Sequence, residues 1–241
     1  PAVALWCALL AAAFCGGLLQ ASTGFGYSLI CMSVYSLILP AKTALLLQAT
    51  AATFTIGWYA LRLRRYVNLR LLVVPACFAL VTTFVGLQTA NAINDALLKR
   101  CLGVVLVLLS AFSLAGKGKV RLSKGFAGQA VAGSVSGLLG GLTNMSGPPM
   151  VLYLLQVTDD KDEYNGTLQC FFLITSLFKT VVNVASGRIT GELLCMLPPL
   201  LLVTAVGSLL GFHLFRQMNM DTVKKAVNVL MVFVGLYYTF F

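Results

Sequence analysis

The stretch GLLGGLTNMSGPPMVLYLL, Gly137 to Leu155, sits inside a strongly apolar chain, and so does GLLQASTGFGYSLICMSVY, Gly17 to Tyr35. Each opens Gly-Leu-Leu, breaks into glycines, hydroxyls and amides, then turns apolar again. The surrounding 241 residues are 59% hydrophobic and only 10% charged, outside the range of a soluble globular domain. Apolar runs long enough to cross a hydrocarbon core recur along the whole length. The expected class is an all-α, polytopic membrane protein.

The basic excess, 17 Lys+Arg against 7 Asp+Glu, suits cytoplasmic loops that fix topology. It does not suit nucleic-acid binding, because no basic face is interleaved with exposed aromatics. The cysteines (Cys7, Cys15, Cys31, Cys77, Cys101, Cys170 and Cys195) lie in apolar segments without a C-x-x-C pair. They read as small apolar helix residues, with neither a disulfide framework nor a metal site expected. Pro1 is followed by no basic n-region, so the first apolar run is not expected to be a cleaved signal peptide.

Apolar segments run Ala2–Leu19, Tyr27–Leu39, Ala44–Leu61, Leu71–Thr89, Leu97–Ala115, Phe126–Leu142, Pro148–Val157, Tyr164–Ala185, Leu193–Phe215 and Val223–Phe241. An internal repeat pairs them. Gly17-Leu18-Leu19 recurs at Gly137-Leu138-Leu139 and Thr23 at Thr143, while Gln48 maps to Gln169 and Gly86 to Gly207. The expected organisation is a first repeat over 1–115, a cytoplasmic linker over 116–124 and a second repeat over 125–241. In each half a broken hairpin, re-entrant or short, returns the chain to its starting side, and three transmembrane helices follow. An odd number of full crossings inverts the second half. Placing Gly116–Lys124 inside puts twelve basic residues in the cytoplasm and four outside, with Lys179 within a span, as the positive-inside rule requires. Inverted repeats with paired broken helices are an architecture of secondary transporters.

The breaks carry the chemistry. QASTGFGYS supplies Ser22 and Thr23 beside two glycines, and GGLTNMSGPP supplies Thr143, Asn144 and Ser146 before Pro148-Pro149. Proline fits a first helical turn, so Ser146 is the expected N-cap. A helix of about 10 residues covers about 15 Å, half the hydrocarbon thickness, so its N-terminus can lie near mid-membrane. Irregular backbone cannot face lipid. Two half-helix N-termini turned on one cavity would favour an anion; close helix packing by small residues is the plain alternative.

Lys179 lies deep in the Tyr164–Ala185 run and either serves the site or snorkels to the outer interface; its repeat mate is Trp58. Gln48 and Gln169 are repeat-related amides that either bind or join helices, and Asn183 is similar. His213 is expected to pack or sit at an interface. Asp95, Asp159, Asp160, Asp162, Glu163, Glu192 and Asp221 all fall at loops or span ends, which leaves no mid-membrane carboxylate for a proton or sodium site. No G-x-S-x-G is present, so an enzyme is not expected.

STGFGYSLICMSVYSLILP with the following AKTALLLQAT, GLLGGLTNMSGPPMVLYLL, the basic loop RRYVNLRLL and the duplicated halves resemble the TauE/SafE family of sulfite exporters. The resemblance covers nearly the whole chain. It implies a bacterial inner-membrane protein, multi-pass in the bilayer, that moves a small anion such as sulfite, sulfoacetate, another organosulfonate or a related carboxylate, without a cofactor. Where the family's glycine cluster is expected, this chain has TGFG in one half and NMSGPP in the other. The expected ligands are Thr23, Gly24, Gly26, Thr143, Asn144, Ser146 and Gly147, with Gln48, Gln169 and Lys179 behind them. Transport, as an exporter, is expected by alternating access; a passive anion channel or a membrane binding or sensory component is the alternative.

Overall fold

A computed structural model describes residues 2–89, 124–187 and 191–226, with residues 229 and 232. Every regular element among them is helical. The order is α1 (Ala2–Thr23), α2 (Tyr27–Ile38), α3 (Ala41–Leu63), a 3-10 turn (Arg64–Tyr66), α4 (Leu69–Thr89), α5 (Phe126–Thr143), α6 (Gly147–Val157), α7 (Lys161–Ala185) and α8 (Gly191–Gln217). A long, a short and two long helices therefore follow one another twice. The expected span Leu97–Ala115, most of the linker and most of Val223–Phe241 lie outside the described residues.

Among the described residues, four helices are long and apolar enough to cross a membrane: Ala4–Thr23, Leu69–Thr89, Lys161–Ala185 and Leu193–Gln217. The 12 residues of α2 and 11 of α6 reach only about 16–18 Å at 1.5 Å per residue, half of a hydrocarbon core. Each short helix is one arm of a hairpin whose other arm is long.

The two breaks have the same backbone cause. α1 ends where Gly24 turns left-handed (φ 89°) and its N–H donates back to Gln20 O at 2.9 Å; Gly26 is also left-handed (φ 115°). At the position 120 residues on, Asn144 adopts φ 64° and its N–H donates to Gly140 O at 3.1 Å. A left-handed residue at this point closes a helix C-terminus, and asparagine is the side chain that tolerates it best after glycine. Pro148 and Pro149 then open α6, where their lack of an N–H costs nothing.

α1 packs along α8 and α4 along α5, while α3 and α7 lie side by side at the centre. Glycines allow the first two contacts. A Cβ on Gly207 or Gly211 would lie 2.3 Å from the carbonyls of Phe14 or Leu18, and one on Gly133 2.3 Å from Pro75 O. α3 and α7 run antiparallel: Thr53 pairs with Thr180 (2.9 Å) near one end, and Asn68, just beyond α3, donates to Glu163 Oε1 (2.7 Å) near the other. The DDKDE segment begins α7 as a capped loop, Asp160 accepting from the N–H groups of Asp162 and Glu163 at 2.7 and 2.9 Å. Beside it, Lys161 Nζ donates to three carbonyls at the end of α8, Phe215, Arg216 and Met218, the end that favours a cation. Large apolar side chains such as Val81, Leu202 and Val206 are exposed, the surface that lipid tails would cover. The described cysteines are unpaired.

Candidate functional site

Each break is held by a glutamine from the other half. Gln169 on α7 donates to Gly24 O at 2.8 Å and to Asn165 Oδ1 at 3.0 Å. Its counterpart Gln48 on α3 accepts from Asn144 Nδ2 and donates to Ser28 Oγ at 2.7 Å. Both amides thus join α3 or α7 to the opposite hairpin, the helix-joining alternative for these residues.

Beyond that the halves differ. In the first, Gln20 Oε1 accepts the Tyr27 N–H at 3.2 Å, and its Nε2 donates to Gly24 O and Gln169 Oε1, both at 3.1 Å. The start of α2 is therefore plugged by a buried amide of its own hairpin. Thr23 Oγ contacts Leu19 O and Phe25 O, both at 2.8 Å, and Tyr164 Oη donates to Thr23 O at 3.0 Å. The Thr23 hydroxyl is turned onto backbone and builds the break. Gln20→Leu would leave Tyr27 N–H and Gln169 Oε1 buried without these partners, at about 1–3 kcal/mol per group, while Gly24 O keeps the bond from Gln169. A drop in detergent melting temperature of several degrees is expected; an unchanged melting curve would mean that water replaces the amide.

In the second half the position equivalent to Gln20 is Gly140, where a Cβ would come within 2.7 Å of Ser146 Cβ. No side chain fits there, and none caps α6. Ser146 occupies the N-cap position as expected, but its hydroxyl makes no cap bond, so its oxygen is left for something else. The side chain that reaches this end is Lys179. It is 6% exposed and donates through Nζ to Asn144 Oδ1. Its head turns inward, so snorkelling to an interface does not describe it.

A small cleft lies between the two breaks. Of the residues expected at the site, Gly26, Asn144, Ser146, Gly147 and Lys179 line it, joined by Gln20, Phe25, Ser28, Thr175, Ser176 and Phe172. Thr23, Gly24, Gln48 and Gln169 sit behind its wall; the Thr143 side chain lies outside the described set. None of the lining residues is acidic, and no cluster of His, Cys, Asp or Glu fit for a metal occurs among the described residues. His213 is exposed and pairs with Gln217 at 2.9 Å, away from the cleft. Gln20 was the residue that sequence reasoning passed over. Its signal was an amide one turn before a glycine break in an otherwise apolar helix.

The cleft thus offers one cation, hydroxyls and amides inside an apolar bundle, and the whole chain can be set against known families. Residues 9–238 match the sulfite exporter TauE/SafE family. The chain belongs to that family. No curated protein and no solved structure matches it. As a TauE/SafE protein it is a membrane protein of a transporter family, whose name implies export of sulfite or a related anion. The matched span takes in both breaks and Lys179.

Proposed function

We propose that this chain is a bacterial inner-membrane transporter, and an exporter, of a small oxyanion that binds in the cleft against Lys179, Asn144, Ser146 and the start of α6. The observation that carries it is Lys179: a buried ammonium facing a cleft with no acidic lining residue. A charge taken from water at several kcal/mol needs a counter-charge, and here the substrate supplies it. The uncapped N-terminus of α6 adds the Gly147 N–H, Pro148 and Pro149 having none, and a partial positive charge on the same side. The anion is therefore held mainly by the second half, while the first contributes the wall.

The carrier reading is alternating access of two inverted repeats, 1–115 and 125–241, around a linker at 116–124. The antiparallel pairing of α3 with α7 supports it, since repeat mates that run in opposite directions are what inversion demands. The pairing of α4 with α5 adds to this: Gly133 meets Pro75, Gly137 meets Ala79 and Gly141 meets Thr83, so the two run parallel. A parallel pair needs a return crossing between them, and the apolar run Leu97–Ala115 is long enough to supply one.

Substrate counterflow in proteoliposomes tests the reading. A carrier preloaded with unlabelled anion accumulates labelled anion transiently, whereas a passive channel only equilibrates it and a sensor moves none. Asn144→Gly is the informative variant, because glycine keeps the left-handed turn and removes both side-chain bonds. Losing charge-assisted contacts of about 1.5–3 kcal/mol predicts anion affinity about ten- to hundredfold weaker. Wild-type affinity in Asn144→Gly would place the anion elsewhere.

A further inference from the structure

The cleft has two unlike ends, and this bears on which anion it takes. Lys179 and Phe172 both line it from α7, seven residues and therefore about 10 Å apart along the helix. At the Lys179 end the polar groups have capacity to spare. The ammonium has three donors, of which Asn144 takes one, and the Ser146 hydroxyl, 7% exposed, makes no cap bond. At the Phe172 end stands Phe25 as well, and Leu29 and Ile56 are further large apolar residues of the lining. The amide there, Gln20, already has Oε1 on Tyr27 N–H and Nε2 on Gly24 O and Gln169 Oε1. Phe25 and Phe172 close over the start of α6, each within 3.6 Å of where a Gly147 Cβ would stand.

We infer that the substrate is an organic monoanion with one oxyanion head and a short uncharged apolar tail, the head on Lys179 and Ser146 and the tail between Phe25, Ile56 and Phe172. A bare inorganic oxyanion would leave the apolar end to water or empty. A second charge on the tail is disfavoured as well, because that end offers neither a carboxylate for an ammonium nor a donor for a carboxylate. This rests on the anion site proposed above.

The test is a homologous series of methane-, ethane- and propanesulfonate, ionised throughout the neutral range, titrated calorimetrically into the detergent-purified protein. Sulfite, 2-aminoethanesulfonate and sulfoacetate serve as comparators, and 1-propanol controls for uptake by the micelle. Affinity should rise about fourfold per methylene, the value of burying one such group, and each doubly functional comparator should bind at least tenfold more weakly than ethanesulfonate. Ile56→Ser and Phe172→Leu should flatten the dependence on chain length while leaving methanesulfonate affinity near wild type, which a merely structural role would not do. A flat series with sulfite binding as tightly as propanesulfonate overturns the tail inference and leaves the anion site standing. If neither sulfite nor any sulfonate binds, the anion site fails and the inference with it.

Discussion

Replacing Lys179 by methionine is expected to weaken sulfonate binding by about two decades or more while raising the stability of the empty protein. The two effects have opposite signs for one reason. In the empty cleft the ammonium has a neutral partner, Asn144 Oδ1, and no acidic residue among those that line the space. An apolar side chain of similar length removes a buried charge whose desolvation costs several kcal/mol, and such replacements are often stabilising by about 1–4 kcal/mol. With the anion bound, the same change removes the counter-charge and strands the substrate's own charge, a loss of about 2–5 kcal/mol in comparable pairs. Melting temperature without ligand and affinity by calorimetry check the two halves separately. Loss of stability together with loss of affinity would make Lys179 a packing residue. Unchanged affinity would leave the α6 N-terminus alone to hold the anion.

The pairing of the breaks was legible because its signals are local. Glycine at Gly24 and Gly26, asparagine at Asn144 and the proline pair after Gly147 each announce a backbone that cannot stay helical. Their equivalence at a spacing of 120 residues needed no contact information. What the two breaks do was not legible, because it depends on side chains brought in from elsewhere. The choice for Lys179 between interface and cleft turns on where α6 begins relative to α7. Thr23 and Ser146 look equally available in sequence, yet threonine hydroxyls readily bond nearby backbone carbonyls, and Thr23 does so twice while the Ser146 hydroxyl makes no cap bond. The unequal halves follow from one substitution between repeat mates, Gln20 against Gly140, which a repeat-based reading averages away. The site is asymmetric for that reason, although the long, short, long, long order of helices around it recurs.

Gly137→Leu is expected to cost about 3 kcal/mol or more of stability and to leave little folded protein in mild detergent. A Cβ at Gly137 would stand 2.2 Å from Thr82 Oγ1, 2.3 Å from Ala79 O and 2.6 Å from Ala79 Cα. Two of the three obstacles are backbone, so no rotamer change relieves them and α4 must move away from α5. That separation would also break the bond from Thr83 Oγ1 to Gly137 O, now 3.0 Å. In a bilayer the penalty is not recovered by burying apolar surface, because lipid tails solvate a separated helix as well as a neighbour does; close packing and interhelical hydrogen bonds are what hold the pair. Gly57→Ala is the matched control, since a Cβ there meets only Leu173 at 3.8 Å, an ordinary contact, and its melting temperature should stay near wild type. If Gly137→Leu melts like Gly57→Ala, α4 and α5 do not approach as described. If it melts far lower, close approach at these glycines is what holds α4 against α5.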